Sequence, residues 1–536
     1  MARKGDDGRA ATDAPVESRY VLPNVVAMTD DTQLSPTRRL GLTVAVMTAT
    51  MMQVLDTTIA NVAMPHMQAQ LSATLEQVAW VLTSYILASA VATPLTGWIE
   101  DRIGRRALFT ICVGGFTISS ALCGAAPTLS FMVAARVAQG LFGALLMPLS
   151  QAVVIDIYPP EKRAQAIGVW SMTTMIGPIM GPILGGWLTD ALNWRWVFYI
   201  NVPLGIPCTI GLWLFLPAGK ARTRSFDMAG YAMLAIAIAA LQLLLDRGTQ
   251  KDWFDSNEIV IEAGLAIAAA WMFIVHTMTA RAPLIPRALF ADRNFMISAG
   301  LTLIVFGVSY SSQALIAPML QQLLHYDTAQ AGTLMAPRGI GVLVAIIIAG
   351  RVINRVDTRL IMAAGLACMI VAQFMMSGFD IVMDRGPIVA AGFIHGLGNG
   401  LVIMPLTMTV FITLPPKLVT DAAAMIGLIR NLAGSISIAI GGAFAARSLQ
   451  VAHSEIGEHV TQQTMPMLDP QLTEPLGRAG GMAAAMVDAE VNRQALMIAY
   501  INDFRLMMWV AVIVLPLLFL FRPGKSPSGA PPVVLE

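Results

Sequence analysis

The sequence predicts an all-α polytopic membrane protein with fourteen transmembrane helices, arranged as two six-helix bundles plus two extra central spans. Three observations predict this fold: the composition, the long apolar segments and an internal repeat. Of the 536 residues, 56% are hydrophobic and 12% are charged, whereas soluble domains carry about 25% charged residues. Many apolar stretches exceed the roughly 18 residues that a helix needs to cross a bilayer. The composition therefore excludes a soluble globular protein.

Fourteen apolar segments follow one another from Leu40 onward. They centre near residues 50, 87, 116, 140, 176, 206, 236, 267, 307, 341, 369, 398, 433 and 512. One set of loops carries nineteen Lys and Arg residues, whereas the short loops of the other set carry only Arg195, Arg247, Lys251 and Arg385. Cytoplasmic loops are enriched in Lys and Arg, and an even number of spans returns the chain to its starting side. Both termini are therefore expected in the cytoplasm.

An internal repeat relates the two halves of the chain. At a shift of 256 residues, Pro159-Pro160 matches Pro415-Pro416 and Gly185-Gly186 matches Gly441-Gly442. Each copy holds six spans in the same orientation, and parallel repeats of this kind place the substrate near the membrane midplane between the halves. Two spans, near residues 226–246 and 257–277, belong to neither copy.

The repeat and the polar stretches set the expected domain boundaries. The expected divisions are a disordered cytoplasmic tail (1–37), an N-terminal six-helix bundle (38–218), a two-helix hairpin (219–280), a C-terminal six-helix bundle (281–522) and a second cytoplasmic tail (523–536). The first tail lacks the apolar core of a signal peptide. The C-terminal bundle includes one long external loop, residues 447–502, whose flanks Arg447–Gln463 and Gly481–Tyr500 are predicted to be helical. This loop is either a passive cap or a docking surface.

Composition also limits the chemistry. The net charge is +1, and the basic residues are divided among loops, so no nucleic-acid surface is expected. The four cysteines, Cys112, Cys123, Cys208 and Cys368, lie in apolar runs without metal or redox spacing. The six histidines form no ligand motif, and no nucleophile–base pair is apparent. No metal, no cofactor and no enzymatic activity are therefore expected.

A glycine-rich run between Gly168 and Trp187 is the most distinctive stretch. Its members are Gly168, Gly177, Pro178, Gly181, Pro182, Gly185 and Gly186. Glycines at every fourth position share one helix face, which lets two membrane helices approach closely. Each proline softens the helix by removing a backbone donor. A single such glycine pair is an ordinary tight crossing, but two Gly-Pro pairs in register predict a close-packed helix that bends.

Ionisable residues inside spans are costly, so each is a functional candidate. Asp56 lies well inside the first span and is interpreted as the deepest carboxylate of the twelve repeat spans. Such an acid can bind and release a proton as its surroundings change. The alternative is a structural hydrogen-bond acceptor for Thr57, Thr58 or Asn61. Arg136, in the fourth span, is the expected counter-charge.

Polar residues in other spans are candidates for a substrate cavity. The candidates are Gln53, Thr57, Asn61, Asn399 and Arg430. Arg338 is interpreted as a further cation inside a span of the second half, similar to Arg136. The alternative is that its side chain extends to the membrane surface or caps a helix.

The loop Gly97–Arg106 predicts a charged latch between spans 2 and 3. Its functional residues are Gly97, Asp101, Arg102, Gly104, Arg105 and Arg106. Asp101 can cap a helix or pair with an arginine, and the glycines permit tight turns. The alternative interpretation is a simple cytoplasmic anchor.

Together these stretches resemble the major facilitator superfamily, and in particular its fourteen-span drug:proton antiporters (the DHA2 family) of the EmrB branch. The first span contains LDTTIANVAMP, which resembles the first-span motif of the family. The loop GWIEDRIGRR resembles motif A, and the fourth-span stretch RVAQGLFGALLMP resembles motif B. The segment Gly168–Trp187 resembles the antiporter motif C. NWRWVFYINVPLG is also typical of the family, and the resemblance covers residues 40 to 522. It implies the major facilitator fold and an inner-membrane exporter of lipophilic drugs driven by proton influx. It also implies that Asp56 is the protonation site, assisted by Arg136. The expected partners are a periplasmic adaptor of the EmrA type and an outer-membrane channel.

Two departures from the family pattern affect these expectations. The later spans are interpreted as lacking the extra acids of relatives that export divalent cations, which disfavours polycationic substrates. Asn354 replaces the motif A aspartate in the second half, so that latch is expected to be weaker. Four alternatives stay open: an exporter without an adaptor, an importer of a small organic solute, a sensor that binds without transport, and a membrane enzyme.

Overall fold

The computed structural model describes residues 35–218, 225–353, 355–459 and 482–520, and this part of the chain is helical, without a β-strand. The N-terminal half contains nine helices. They are α1 (Pro36–Gln70), α2 (Leu75–Ala92), α3 (Thr96–Ile103), α4 (Arg105–Ala125), α5 (Leu129–Gly143), α6 (Leu146–Ile157), α7 (Pro160–Ala191), α8 (Trp196–Tyr199) and α9 (Asn201–Phe215). Helices α2–α3, α5–α6 and α8–α9 each make one interrupted span.

The two central spans form a helical hairpin, α10 (Met228–Arg247) and α11 (Asn257–Thr279). Asp227 caps the start of α10 by accepting from Gly230 N at 2.9 Å. The same carboxylate accepts from Leu284 N at 3.1 Å, which ties the hairpin to the entry of the C-terminal half. Exposed apolar side chains cover α11, including Ile267 (72% exposed) and Trp271 (67%). Such a large exposed apolar face suits contact with lipid.

The described residues of the C-terminal half form seven α-helices. They are α12 (Arg287–Ala291), α13 (Arg293–Pro318), α14 (Thr328–Val352), α15 (Thr358–Met376), α16 (Arg385–Ile412), α17 (Val419–Glu458) and α18 (Met482–Val514). A π-helical turn, Met319–Leu323, continues α13. π turns inside or beside α-helices are frequent at functional sites.

The predicted all-α fold is confirmed. Thirteen described segments are long and apolar enough to cross a membrane, and α7 adds a fourteenth helix of 32 residues. At a rise of 1.5 Å per residue α7 is about 48 Å long, which exceeds the roughly 30 Å hydrocarbon core.

The predicted external loop is largely a continuation of two spans. Helix α17 runs without a break for 40 residues to Glu458, and α18 already begins at Met482. His453 Nε2 lies 3.2 Å from Asp488 Oδ1, which links the two extensions beyond the apolar core. The predicted flanks are therefore helical where the structure describes them, while residues 460–481 and the two tails lie outside the described residues.

Candidate functional site

Asp56, in the middle of α1, is the centre of a buried polar cluster. Asp56 and Arg136 are both 0% exposed, and Arg136 Nη1 lies 2.6 Å from Asp56 Oδ2. Gln139 Nε2 donates to Asp56 Oδ1 at 2.7 Å, and Asn201 Nδ2 donates to the same oxygen at 3.2 Å. One carboxylate therefore joins α1 to α5 and α9.

Arg136 is fixed by several neighbours besides Asp56. Its Nε donates to Val81 O at 2.9 Å, and its Nη1 also donates to Gln139 Oε1 at 2.8 Å. The guanidinium lies over the Tyr85 ring, 4.3 Å from its centroid. A buried arginine stays charged and needs this kind of compensation.

The hydrogen bonds of Asp56 match an ionised carboxylate, because both of its oxygens act as acceptors. A protonated carboxyl is also a donor and loses its attraction for the guanidinium. The three donors and the buried guanidinium therefore suit a negatively charged Asp56.

The glycine face of α7 packs against the same segment of α1. A Cβ at Gly177 would lie 2.8 Å from Val54 Cβ, and one at Gly181 would lie 2.8 Å from Thr58 Cβ. Thr58 Oγ1 also donates to Gly177 O at 3.1 Å. Val54 and Thr58 flank Asp56 in sequence, so α1 is held between the buried ion pair and the glycines of α7.

The remaining members of the glycine-rich run have different surroundings. A Cβ at Gly168 would lie 3.0 Å from Ile346 Cγ2 of α14, so this glycine faces the other half. Gly185 is buried, whereas a Cβ at Gly186 would meet no atom within 4 Å. Pro178 and Pro182 lie within α7, and their side chains are outside the described part.

A cavity of about 280 Å³ lies between the two halves. Val54, Thr57 and Thr58 line it from α1, on the segment that also carries Asp56. The cavity extends to Gln321 of the π turn and Ala331 of α14. The cavity and the Asp56–Arg136 ion pair therefore share the same stretch of α1.

Two arginines face this cavity. Arg430 donates to the Met147 sulfur at 3.0 Å and lies 4.6 Å from the Phe306 ring centroid. Arg338 Nη2 donates to Ser309 O at 2.9 Å. Arg338 Nη1 and Arg430 Nε have no hydrogen-bond partner in the described structure. Among the described lining residues there is no Asp or Glu, so the cavity is electropositive.

The predicted cavity residues are only partly brought together. Thr57, Asn399 and Arg430 line the cavity, and Asn399 Oδ1 accepts from Ser309 Oγ at 3.1 Å. Gln53 is buried but is not among the lining residues, and Asn61 is exposed.

The Gly97–Arg106 segment lies at the end of the bundle where α17 begins, which we call the basic side. Arg105 forms ion pairs with Glu100, at 2.6 Å, and with Asp156. Its Nη2 also donates to Thr420 Oγ1 of α17 at 3.3 Å. A Cβ at Gly97 would lie 2.8 Å from Asp421 Cγ. The segment therefore closes the two halves against each other on the basic side.

Other members of the segment shape it. Gly104 has φ 83°, in the left-handed region that favours glycine. Arg102 lies over the Trp98 ring at 5.6 Å, and Arg106 over the Trp213 ring at 4.3 Å. Asp101 is exposed in part and lies in the last turn of α3.

Gly97→Ala is expected to open the basic side, because the new methyl group would displace Asp421 from the first turn of α17. We predict faster labelling by a membrane-impermeant maleimide of a cysteine introduced by Thr420→Cys, in a Cys368→Ser background. Gly300→Ala is the matched control, since a Cβ there meets no atom within 4 Å. Equal labelling of both variants would contradict a latch at Gly97.

Sequence reasoning missed several residues of the cluster and the latch. Gln139 lies three residues after Arg136 on α5, so it shares a helix face with it. Asn201 lies in the NWRWVFYINVPLG stretch, but its contact with Asp56 crosses 145 residues. Glu100 and Asp156 carry the ion pairs of Arg105.

One sequence interpretation is wrong. Asp56 is not alone as a deep carboxylate, because Asp503 in α18 is also 0% exposed. The segment centred near residue 512 was expected to begin after residue 502, which placed Asp503 at its edge. Helix α18 instead begins at Met482, so Asp503 lies well inside it. The argument against cationic substrates from a lack of acids in the later spans therefore fails.

Comparison with known proteins agrees with this architecture. A model of the Major Facilitator Superfamily matches residues 46–438. The multidrug export protein EmrB of Escherichia coli K12 is 34% identical over 91% of this chain and 96% of its own length. The fatty acid resistance protein FarB of Neisseria gonorrhoeae is 33% identical over 90% of this chain and 96% of its own.

Solved structures share the fold at low sequence identity. The proton:xylose symporter XylE aligns with a TM-score of 0.58 at 13% identity, over 91% of this chain and 96% of its own. A bacterial homologue of the human lysosomal transporter Spinster aligns with a TM-score of 0.52 at 18% identity, over 92% of this chain and all of its own. The chain is thus a multi-pass membrane transporter that belongs to the major facilitator superfamily, as a member of the EmrB type.

Proposed function

We propose that this protein is a proton-driven exporter of lipophilic compounds that works by alternating access. The observation that carries the proposal is the position of α1 between the Asp56–Arg136 ion pair and the cavity. A proton on Asp56 weakens its bonds to α5 and α9, which frees α1 to shift against α7. Substrate in the cavity contacts the other face of α1 and favours the ionised cluster. Proton and substrate then occupy the protein alternately, as antiport requires.

The proposed conformation is closed on the basic side, where Gly97 and Arg105 meet the start of α17. The excess of Lys and Arg in these loops supports a cytoplasmic location for the basic side and for both termini. The cavity then faces outward, ready to release substrate and accept a proton. The domain boundaries 1–37, 38–218, 219–280, 281–522 and 523–536 are part of this proposal.

Proton exchange in inverted inner-membrane vesicles tests this function. Respiration acidifies the lumen, and a pH-sensitive dye reports the gradient. An antiporter discharges the gradient when a transported compound is added outside, whereas an importer coupled to proton uptake does not. A gradient that no compound in a broad lipophilic panel discharges would reject antiport.

We infer that amphipathic acids are the preferred substrates. Arg338 and Arg430 each keep an unpartnered N–H in an apolar cavity without a described acid. A carboxylate satisfies such donors with charge-assisted hydrogen bonds, while Phe306 and Met335 contact an apolar tail. The name of the related FarB, a fatty acid resistance protein, supports this substrate class.

Arg430→Gln is expected to weaken transport of a long-chain fatty acid but not of a neutral lipophilic dye. Hydrogen bonds to charged groups are worth about 1.5–3 kcal/mol, so KM for the acid should rise about tenfold or more. The vesicle assay measures both substrates, and Arg430→Lys, which keeps the charge, is the matched control. An equal loss for acid and dye would show that Arg430 acts only in packing.

The proposed setting is the inner membrane of a Gram-negative cell, with a periplasmic adaptor of the EmrA type and an outer-membrane channel as partners. The paired extensions of α17 and α18, joined at His453 and Asp488, project from the proposed periplasmic side and suit an adaptor contact. Co-purification with an adaptor distinguishes this arrangement from an exporter that works alone.

A further inference from the structure

We propose that Asp503 is a second proton-binding carboxyl, located in the C-terminal half and independent of the Asp56 cluster. The proposal extends the exporter function and rests on it for its role in transport. Its structural basis is a carboxyl group that is enclosed in the bundle and lacks a counter-charge.

Asp503 differs from Asp56 in its surroundings. Its side chain is fully buried, yet neither carboxyl oxygen has a hydrogen-bond partner in the described structure. Asp56, by contrast, accepts from Arg136, Gln139 and Asn201. An ionised carboxylate buried without a partner is very unfavourable, so such a group is held as the neutral acid. Protonation neutralises Asp503, whereas the positive charge of Arg136 compensates the carboxylate of Asp56.

Among the described residues, the helix faces packed around Asp503 supply no cation that hydrogen-bonds to it. Met507 lies one turn after Asp503 on the same face of α18. A Cβ added to Gly441 of α17 would be 4.0 Å from Met507 and 2.8 Å from Ser311 Oγ of α13, so α17 and α13 pack against this face. Ser311 Oγ is itself buried without a hydrogen-bond partner. Tyr500, one turn before Asp503, is a buried titratable neighbour.

The other neighbouring elements present uncharged groups. Gln373 of α15 donates a hydrogen bond to Ser312 of α13. The π turn contributes Met319, Leu320 and Leu323 to the apolar cluster that contains Tyr500 and Phe504. Among the described residues, none of the Asp, Glu, Lys, Arg and His side chains of α13, α15, α17 or the π turn pairs with Asp503.

The position of Asp503 suits exchange with the external solution. Phe504, the next residue, packs edge-on against Phe379, which follows the end of α15 opposite to the basic side. Asp503 therefore lies towards the side from which the proposed proton enters. A proton that enters from this side can therefore reach Asp503 before it reaches Asp56.

The π turn connects Asp503 with the substrate cavity. Leu320 and Leu323 are buried against Phe504 of α18, whereas Gln321 of the same turn lines the cavity. Because these side chains belong to one turn, a change in its geometry would move them together. Substrate bound at Gln321 and the proton on Asp503 can thus influence each other through the π turn Met319–Leu323.

Chemical modification tests the proton without any variant. A hydrophobic carbodiimide adds to a protonated carboxyl in an apolar setting, so we expect the Asp503 peptide of the membrane-embedded full-length protein to be labelled near neutral pH. Mass spectrometry identifies the site, and the exposed Asp488 of the same helix should not react. Absence of the label at Asp503, with the same reagent labelling a reactive carboxyl of another protein in the same membranes, would overturn the proposal.

The proton-to-substrate ratio tests the role in transport. In proteoliposomes, Asp503→Asn is expected to lower the number of protons exchanged per fatty acid by one, whereas Asp190→Asn, at an exposed position, leaves it unchanged. An unchanged proton-to-substrate ratio in Asp503→Asn would show that Asp503 has only a structural role. If the wild-type protein exchanges no protons at all, the exporter function fails, while the labelling result still decides whether Asp503 holds a proton.

Discussion

Asp56→Asn is expected to abolish proton-driven accumulation of substrate while substrate binding and downhill exchange persist. Asparagine keeps the size of the side chain but cannot change its charge, so the cluster with Arg136, Gln139 and Asn201 loses its two protonation states. Discharge of the pH gradient by substrate in inverted vesicles should fall to background. Counterflow of labelled substrate, which needs no proton, measures the retained activity.

Stability provides a second readout for this variant. Removing one member of a buried ion pair costs about 3–5 kcal/mol, because the other charge is left without compensation. We expect Asp56→Asn to lower the unfolding temperature and the added change Arg136→Gln to restore part of it. Asp190→Asn, at an exposed position near the end of α7, is the matched control. Full proton-driven accumulation by Asp56→Asn would refute its coupling role.

Gly181→Ala is expected to inactivate transport although alanine is the better helix former. The new methyl group would overlap Thr58 and force α7 away from α1. Overpacking of this kind costs about 1–3 kcal/mol. Because the same contact supports the segment of α1 that carries Asp56, we expect both the transport rate and the proton response to fall.

Gly186→Ala separates packing from helix propensity. It lies on the same helix, but a Cβ there meets no atom within 4 Å. Replacing glycine by alanine in a helix is otherwise stabilising by up to about 1 kcal/mol. We expect Gly186→Ala to transport substrate at the wild-type rate. If Gly181→Ala did the same, the close contact between α1 and α7 would not be needed for transport.

The spans could be predicted from the sequence because each is a local property of composition and length. The segments near residues 236 and 267 correspond to α10 and α11 almost residue for residue. The sequence predicts a helix at Gly481–Tyr500 but assigns it to an external loop that ends at residue 502. Helix α18 instead continues from Met482 into the last span without a break, so the depth of Asp503 was missed.

The site was only partly predictable, for a geometric reason. Asp56 and Arg136 stand out because charge inside a span is rare. Their neighbour Asn201 is one of many polar residues at span ends, and only the folded bundle brings it to Asp56. Likewise, the fourfold spacing of Gly177 and Gly181 predicts a close helix contact, but it does not name α1 as the partner.

Proton release by the purified protein tests the central claim most directly. The wild-type protein is first prepared with Asp56 protonated, in a weakly buffered detergent solution. When a fatty acid anion is added and binds, the protein should release a proton, which is measured as a change in pH. We predict equal release by the wild type and by Asp190→Asn, and release of one proton fewer by Asp56→Asn. Equal release by wild type and Asp56→Asn would contradict coupling through the ion pair on α1.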